Sequence, residues 1–322
     1  MTQIESLQQK IKSAREEIHK IIVGQESIVD ALFITLLSRG HALLIGAPGL
    51  AKTMLVQSLA KVLHNRFSRI QFTPDLMPSD ITGVDLIQEN PVTKEKEFRF
   101  APGPIFCNIL LADEINRTPP KTQSALLQAM QERQVSAGNR TMPIDEPFFV
   151  LATQNPIEQE GTYPLPEAQL DRFTFSLFMG YPSFEDEVKI ASLIQPENVE
   201  IKAVLSCEEL IEAQKLSEII PIGEEIVKYA VRINAATRKD NVLATPMVKQ
   251  YVAWGSGPRA SQFLVRAAKA RAFYEGRSHA TVQDIAFVAP MVLQHRLVMN
   301  FQGQAEGVSV QQVIQDIVNK VA

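Results

Sequence analysis

The sequence predicts an α/β fold: a parallel-sheet core built around a phosphate-binding loop, followed by a smaller all-helical domain. Three observations predict it. Ala42–Ile45 is an apolar run without polar alternation, as a strand buried on both faces requires, and it opens through a glycine-bearing loop into the helical pattern Met54–Leu63. Ile109–Ala112 is a second such run and ends in two adjacent carboxylates, Asp113 and Glu114. Beyond Gly180 strand signals vanish and capped helices follow one another. At 322 residues the chain is long enough for two cores, and the change of pattern divides it into residues 1–180 and 181–322.

Composition narrows the classes. With 45% hydrophobic and 21% charged residues and a net charge of −4 without like-charge blocks, the chain reads as an ordinary soluble globular protein, and nucleic acid is not expected as a partner. Cys107 and Cys207 lack metal-type spacing and are expected as reduced, buried thiols, which points to the cytoplasm. The histidines, His19, His41, His64, His279 and His295, contain no i, i+4 pair, which argues against zinc. No segment reaches the roughly twenty apolar residues of a membrane span. Met1–Lys20 is charged throughout and lacks the apolar centre of a secretory leader. Instead Ile4, Leu7, Ile11, Ile18 and Ile22 recur at helical spacing, as in an amphipathic surface helix.

Taken in order, Val23-Gly24-Gln25 joins this helix to a second apolar one, Ile28–Leu37. By itself it is a helix connection; just upstream of the phosphate loop, it could close over a nucleotide base. Gly46-Ala47-Pro48-Gly49-Leu50-Ala51-Lys52-Thr53 fits the template G-x-x-x-x-G-K-[ST], with Ala51 where the second glycine is expected. Gly46 and Gly49 leave room for backbone N–H groups to wrap a phosphate, and the helix N-terminus adds about half a positive charge. Lys52 would reach the β- and γ-phosphates and Thr53 would coordinate Mg²⁺. Ala51 costs little if its φ is negative.

Ser68–Thr73 reads as a second strand, and an insertion with a hairpin across Val84–Phe100 follows, turning at Asn90-Pro91. Asp113 and Glu114 then end a strand where open α/β sheets bind ligands. Asp113 suits the Mg²⁺ shell, and Glu114 suits polarising a water for in-line attack. Thr118 is expected to cap a helix opened by Pro119. Gln134–Ile144, with Gly138-Asn139, is a second hairpin. The strand Glu146–Thr153 leads to Asn155, which is either a turn-forming Asn-Pro or a group that positions the attacking water beside Asp113. Leu165–Phe173 is a short helix ending in Arg172 before a last strand, Thr174–Phe178, and Gly180-Tyr181-Pro182 reads as a hinge. Capping boxes mark the helices beyond it at Ser183/Asp186, Ser206/Glu209 and Thr281/Asp284. Arg259, in Ser256-Gly257-Pro258-Arg259, is either solvated or bends back to the phosphates.

On these residues the chain resembles the MoxR-type ATPases of the AAA+ superfamily, a helix-2-insert clade of P-loop NTPases. The resemblance spans nearly the whole length and is most specific at Gly46–Thr53, Leu111–Arg117, Ala152–Pro156 and Leu165–Phe173. It implies ATP and Mg²⁺ as ligands, with Lys52 and Thr53 as Walker A and Asp113 and Glu114 as Walker B. It further implies Asn155 as sensor 1, Arg172 as an arginine finger acting in trans, and Arg259 as sensor 2. Alanine before the lysine is usual in that family. Ser256-Gly257-Pro258 departs from its more frequent Ala-Ser-Pro. The family commonly forms rings, usually hexamers. These act as chaperone-like motors on protein clients, often with a partner bearing a von Willebrand factor A domain.

Two rival readings remain: a slow nucleotide-gated binding switch, against which Glu114 speaks, and a nucleic-acid-linked motor, against which the acidic balance speaks. A GTPase is disfavoured, since no N-K-x-D motif occurs. In a hydrolysis assay, ATP should be turned over in preference to GTP, and added DNA should not accelerate it.

Overall fold

The computed structural model describes residues 3–89, 96–137, 140–157, 161–192 and 200–321. Two helices, α1 (Gln3–His19) and α2 (Glu26–Leu37), precede β1 (Ala42–Gly46), and α3 (Lys52–Val62) leads to β2 (Phe67–Gln71). A short α4 (Pro78–Thr82) opens the insertion, an antiparallel hairpin of β3 (Gly83–Glu89) and β4 (Lys96–Pro102). Then come β5 (Ile109–Asp113), α5 (Pro120–Glu132) and a second hairpin, β6 (Gln134–Ala137) with β7 (Arg140–Pro143). The sheet region closes with β8 (Phe149–Gln154), α6 (Glu167–Leu170) and β9 (Phe175–Met179). The expected turns at Asn90-Pro91 and Gly138-Asn139, and Lys94 in the first hairpin, lie outside the described residues.

Five strands form one sheet in the order β2-β5-β8-β1-β9, and every adjacent pair is parallel. The apolar runs read as doubly buried strands are just that, because side chains of successive residues enter opposite layers. Leu44, Leu111, Leu151 and Leu177 face the layer of α1, α2 and α3. Leu43, Leu110, Val150 and Ala152 face the layer that holds Leu126, Leu127 and Met130 of α5.

After Gly180 follow α7 (Phe184–Ser192), α8 (Cys207–Glu218), α9 (Glu224–Ala236), α10 (Pro246–Tyr251), α11 (Pro258–Tyr274), α12 (Val282–Leu293), α13 (Phe301–Ala305) and α14 (Val310–Lys320). Their buried residues, among them Ala230, Ile233, Leu264, Ala267 and Phe273, belong to the same apolar cluster as α1 to α3. Two hydrogen bonds reinforce this packing. Gln214 Nε2 donates to the Leu36 carbonyl at 2.8 Å, and Ser217 Oγ donates to the Leu37 carbonyl at 2.7 Å, both at the open C-terminus of α2. The capping boxes at Ser206/Glu209 and Thr281/Asp284 are present.

Three expectations need correction. The helical region is not strand-free: β10 (Val252–Trp254) pairs with β11 (Val298–Met299), segments too short to show a periodicity. Thr118 does not cap α5; Pro119 takes the cap position and Pro120 the first turn, while the Thr118 hydroxyl donates to the Thr73 carbonyl at 2.7 Å. Cys207 is half-buried rather than buried, although both cysteines are free thiols. Among the described residues no helix is long and apolar enough to cross a membrane.

His41 sits just before β1 and is fully enclosed. The Val150 N–H donates to its Nδ1 at 3.0 Å, which leaves the proton on Nε2 for the Met130 carbonyl at 3.1 Å. Burial, with the Arg133 charge added, lowers its pKa from 6.5 to about 4. The folded value is the depressed one, so the unfolded chain binds the extra proton in this window. Stability should therefore fall as the pH drops from 6.5 towards 4, by about 3 kcal/mol in all for this group. Denaturant unfolding of the wild type and of His41→Gln across that range should show the excess slope in the wild type alone.

Candidate functional site

The phosphate loop lies where the sequence put it, between the C-terminal end of β1 and α3. Gly46 sits tightly against β9: a Cβ there would stand 3.0 Å from the Met179 backbone oxygen, and the neighbour would have to give. Gly49 turns the loop with φ +84. Ala51 does not have the negative φ that would make it cheap: at φ 57, ψ 23 it is left-handed, a conformation costing about 1 kcal/mol for a residue with a Cβ. The chain needs that turn to aim Lys52 inward at the start of α3. The Lys52 ammonium donates to the Gly46 carbonyl at 2.8 Å, across the mouth of the loop, and Thr53 follows it in the first turn.

On the same edge of the sheet, Asp113 ends β5 and is 8% exposed. Its Oδ1 accepts from the Thr153 hydroxyl at 2.6 Å, and its Oδ2 from Arg69 Nη2 at 2.7 Å and Nε at 3.2 Å. Glu114 leaves the strand in the left-handed region with φ 57, its N–H donating to the Thr153 hydroxyl at 2.8 Å. Its carboxylate Oε2 accepts from Gln71 Nε2 at 2.7 Å and Arg117 Nη1 at 3.0 Å. One hydroxyl thus fixes both acidic residues, and the adjacent strand β2 supplies a partner to each. These four partners, Thr153, Arg69, Gln71 and Arg117, were not expected from the sequence. The signal was there for two of them: Arg69 and Gln71 are spaced i, i+2 on a strand paired in register with Leu111 and Asp113.

Asn155 is 4% exposed and lies just past β8, the strand next to Asp113. Its Oδ1 accepts from the Ile157 N–H at 3.1 Å, so the Asn-Pro turn and the position beside Asp113 coexist. Val23 and Gln25 line a cavity of about 340 Å³ together with Pro48, Gly49, Leu50 and Ala51. Gly24 has φ +73, and a Cβ there would stand 2.8 Å from Asp186 Oδ2. Gln25 Nε2 reaches the Gly180 carbonyl at 3.1 Å, tying the turn to the end of β9.

Oxygen donors suit the expected cation. A hydroxyl and a carboxylate, Thr53 and Asp113, are hard ligands of the kind Mg²⁺ accepts while keeping several waters. Arg69 holds the Asp113 carboxylate through Oδ2, so a cation beside Thr53 would share that carboxylate with the guanidinium or displace it.

Arg172 and Arg259 lie elsewhere. Arg172 precedes β9, and β9 runs parallel to β1 with Phe175 beside Ala42 and Met179 beside Gly46. It is therefore at the opposite end of the strands from Lys52, and the paired stretches Ala42–Gly46 and Phe175–Met179 that lie between them rise about 13 Å at 3.3 Å per residue. Arg259 does not bend back to its own phosphate loop. Its Nη1 pairs with Asp171 Oδ2 at 3.1 Å, and it lines a cavity together with Arg172. Arg296 of the segment after α12, with a side chain 2% exposed, holds this corner: Nε donates to Asp171 Oδ1 at 2.8 Å, and Nη2 to the carbonyls of Asp171 at 3.0 Å and Phe173 at 2.6 Å. Burial lowers its pKa from 12.5 to about 10 against the opposing pull of Asp171, so it stays charged at neutral pH.

Residues 41–175 match the family model described as ATPase family associated with various cellular activities (AAA), and residues 245–317 match the AAA lid domain. The chain is 46% identical to chaperone MoxR1 of Mycobacterium tuberculosis over 95% of its own length and 80% of that protein's. It is 43% identical to the YeaC protein of Bacillus subtilis, over 98% of this chain and 96% of the other. The MoxR protein of Methylorubrum extorquens is 30% identical over 87% and 85% of the two chains. Among solved structures, a candidate ATPase from Cytophaga hutchinsonii superposes with a TM-score of 0.90 at 41% identity, covering 99% of this chain and 96% of that one.

Two substitutions on the Lys52 edge should separate binding from turnover. Lys52→Ala removes the ammonium at the mouth of the loop and should abolish binding of a fluorescent ATP analogue. Glu114→Gln keeps the shape of the side chain and should bind the analogue normally while losing at least ~10²-fold in kcat.

Proposed function

We propose that this chain, which belongs to the MoxR family of AAA+ ATPases, hydrolyses ATP with Mg²⁺ to remodel or mature a protein client. It would work in the cytoplasm as a ring of identical subunits, six by family habit, alongside a partner with a von Willebrand factor A domain. Residues 1–180 are taken as the nucleotide-binding core and 181–322 as its lid. One observation carries the reading: the Gly46–Thr53 loop, Asp113 and Glu114 meet at one edge of the sheet.

Each residue has a distinct task there. Backbone N–H groups of Ala47 to Lys52 wrap the phosphates, and the Lys52 ammonium exchanges the Gly46 carbonyl for them. Thr53 and Asp113 would hold Mg²⁺, which supplies charge neutralisation on the β- and γ-phosphates. Val23, Gly24 and Gln25 close over the base. Glu114 accepts the proton of the attacking water once Gln71 and Arg117 let its carboxylate go, and Asn155 orients that water. The restraint on Glu114 also favours slow basal hydrolysis that a client or partner releases.

Arg172 and Arg259, on the opposite edge, cannot serve the same nucleotide as Lys52, so the reading assigns both to the nucleotide of a neighbouring subunit. A guanidinium is always charged and rigidly forked, which suits the charge that builds on the γ-phosphate. The insert hairpin is assigned to the client. Ile87 and Phe98 face each other across its two strands and are 65% and 66% exposed, an apolar pair with nothing of its own chain to cover it among the described residues.

Arg172→Ala should lower turnover by about 10³-fold or more and spare ATP binding. Mixing it with Glu114→Gln subunits should restore activity, because each can supply what the other lacks. A mixture that exchanges subunits yet stays dead at every ratio refutes action in trans. Separately, Ile87→Ser with Phe98→Ser should leave basal hydrolysis near the wild-type rate and remove its stimulation by client.

A further inference from the structure

The cavity that brings Arg172 and Arg259 together holds more positive charge than these two account for. It measures about 420 Å³ and is lined by five arginines, Arg39, Arg133, Arg172, Arg259 and Arg266, with no carboxylate among its lining residues. Two acids reach its rim from outside. Glu146 pairs with Arg133, and Asp171 is shared by Arg259 and Arg296. Arg39, Arg172 and Arg266 form no ion pair with another described residue, and Arg39 Nε is buried without a hydrogen-bond partner among them.

Backbone and helix geometry gather these side chains. Arg259, Phe263 and Arg266 are spaced i, i+4, i+7 on α11 and share one face. Phe263 also carries the Arg296 guanidinium over its ring at 4.9 Å. Arg39 and Arg133 end α2 and α5 in the left-handed conformation, at φ 53 and 52, and Arg133 Nη2 donates to the Arg39 carbonyl at 3.4 Å. The carbonyl ends of these two helices offset part of the charge. They do not supply the paired oxygens that forked guanidinium groups accept best. Gly40 forms the floor so closely that a Cβ there would stand 2.2 Å from Thr174 Oγ1, so the arginines reach over bare backbone.

We propose that this cavity is a polyphosphate-binding site, in which Arg39 and Arg266 are ligands beside Arg172 and Arg259. A polyphosphate offers several adjacent oxygen pairs, matching several guanidinium groups that converge without acids between them. The oxygens could belong to a neighbouring subunit's nucleotide or to a free polyphosphate; only the first source rests on the trans reading of Arg172 and Arg259.

Calorimetric titration of inorganic tripolyphosphate into Lys52→Ala protein, whose own phosphate loop is disabled, should show one site per chain. Adding Arg266→Ala or Arg39→Asn to that background should weaken it at least ~10-fold, with Arg266→Lys in between. Arg266 is exposed and helical, so its alanine variant keeps the fold. Absence of binding to Lys52→Ala, or binding that Arg266→Ala leaves unchanged, overturns the proposal. The source is read from ATP turnover in mixtures of Arg266→Ala and Glu114→Gln subunits. Recovery supports a neighbour's nucleotide. Tripolyphosphate binding that depends on Arg266, with no recovery despite subunit exchange, keeps the site with a free polyphosphate as its ligand and leaves the trans action of Arg172 to its own mixture with Glu114→Gln.

Discussion

Everything in this molecule is sorted by the parallel run of its five strands. Parallel strands put all their C-terminal ends on one edge and all their N-terminal ends on the other. A residue that follows a strand therefore joins one chemistry, and a residue that precedes one joins another. Gly46 through Thr53, Asp113, Glu114 and Asn155 follow strands. Arg39 precedes β1 and Arg172 precedes β9. The arginines at the strand starts and the carboxylates at the strand ends cannot meet within one chain without breaking the sheet.

The acidic edge shows how a buried carboxylate is kept. Asp113 would be costly to enclose alone, and it is satisfied by one hydroxyl and one guanidinium. Thr153 does more than satisfy it, since the same oxygen takes the Glu114 N–H and so sets the left-handed turn that swings Glu114 off the strand. That turn puts the Glu114 carboxylate within reach of Gln71 and Arg117.

The central strands β1, β5 and β8 were legible because each is short, apolar and bounded by turn residues, and both hairpins from the turn residues between short strand-like pieces. The phosphate loop and the Asp113-Glu114 pair were legible because their residue types and spacing leave few alternatives. What the sequence hid was long-range. Nothing local to Arg259 says that α11 packs against α2 and carries the arginine to Asp171, 88 positions earlier. Nor can a window around Ala51 reveal its φ, which the closure of the loop imposes. Arg69 and Gln71 lie on a strand the sequence does show, but only its pairing with β5 gives them their partners Asp113 and Glu114.

The corner built by Arg296 bears on how sequence variation in this chain would be interpreted. One buried guanidinium staples the segment after α12 to the carbonyls of Asp171 and Phe173, on both sides of Arg172. The helical region is thereby tied to the stretch that carries Arg172. A change at Arg296 would loosen Arg172 while leaving the hydrogen bonds of Lys52, Asp113 and Glu114 intact, and in a genetic screen it would score with changes at Arg172 itself despite lying in another part of the sequence. Distance from the nucleotide is thus a poor guide to tolerance here; attachment to residues 171–174 is the better one.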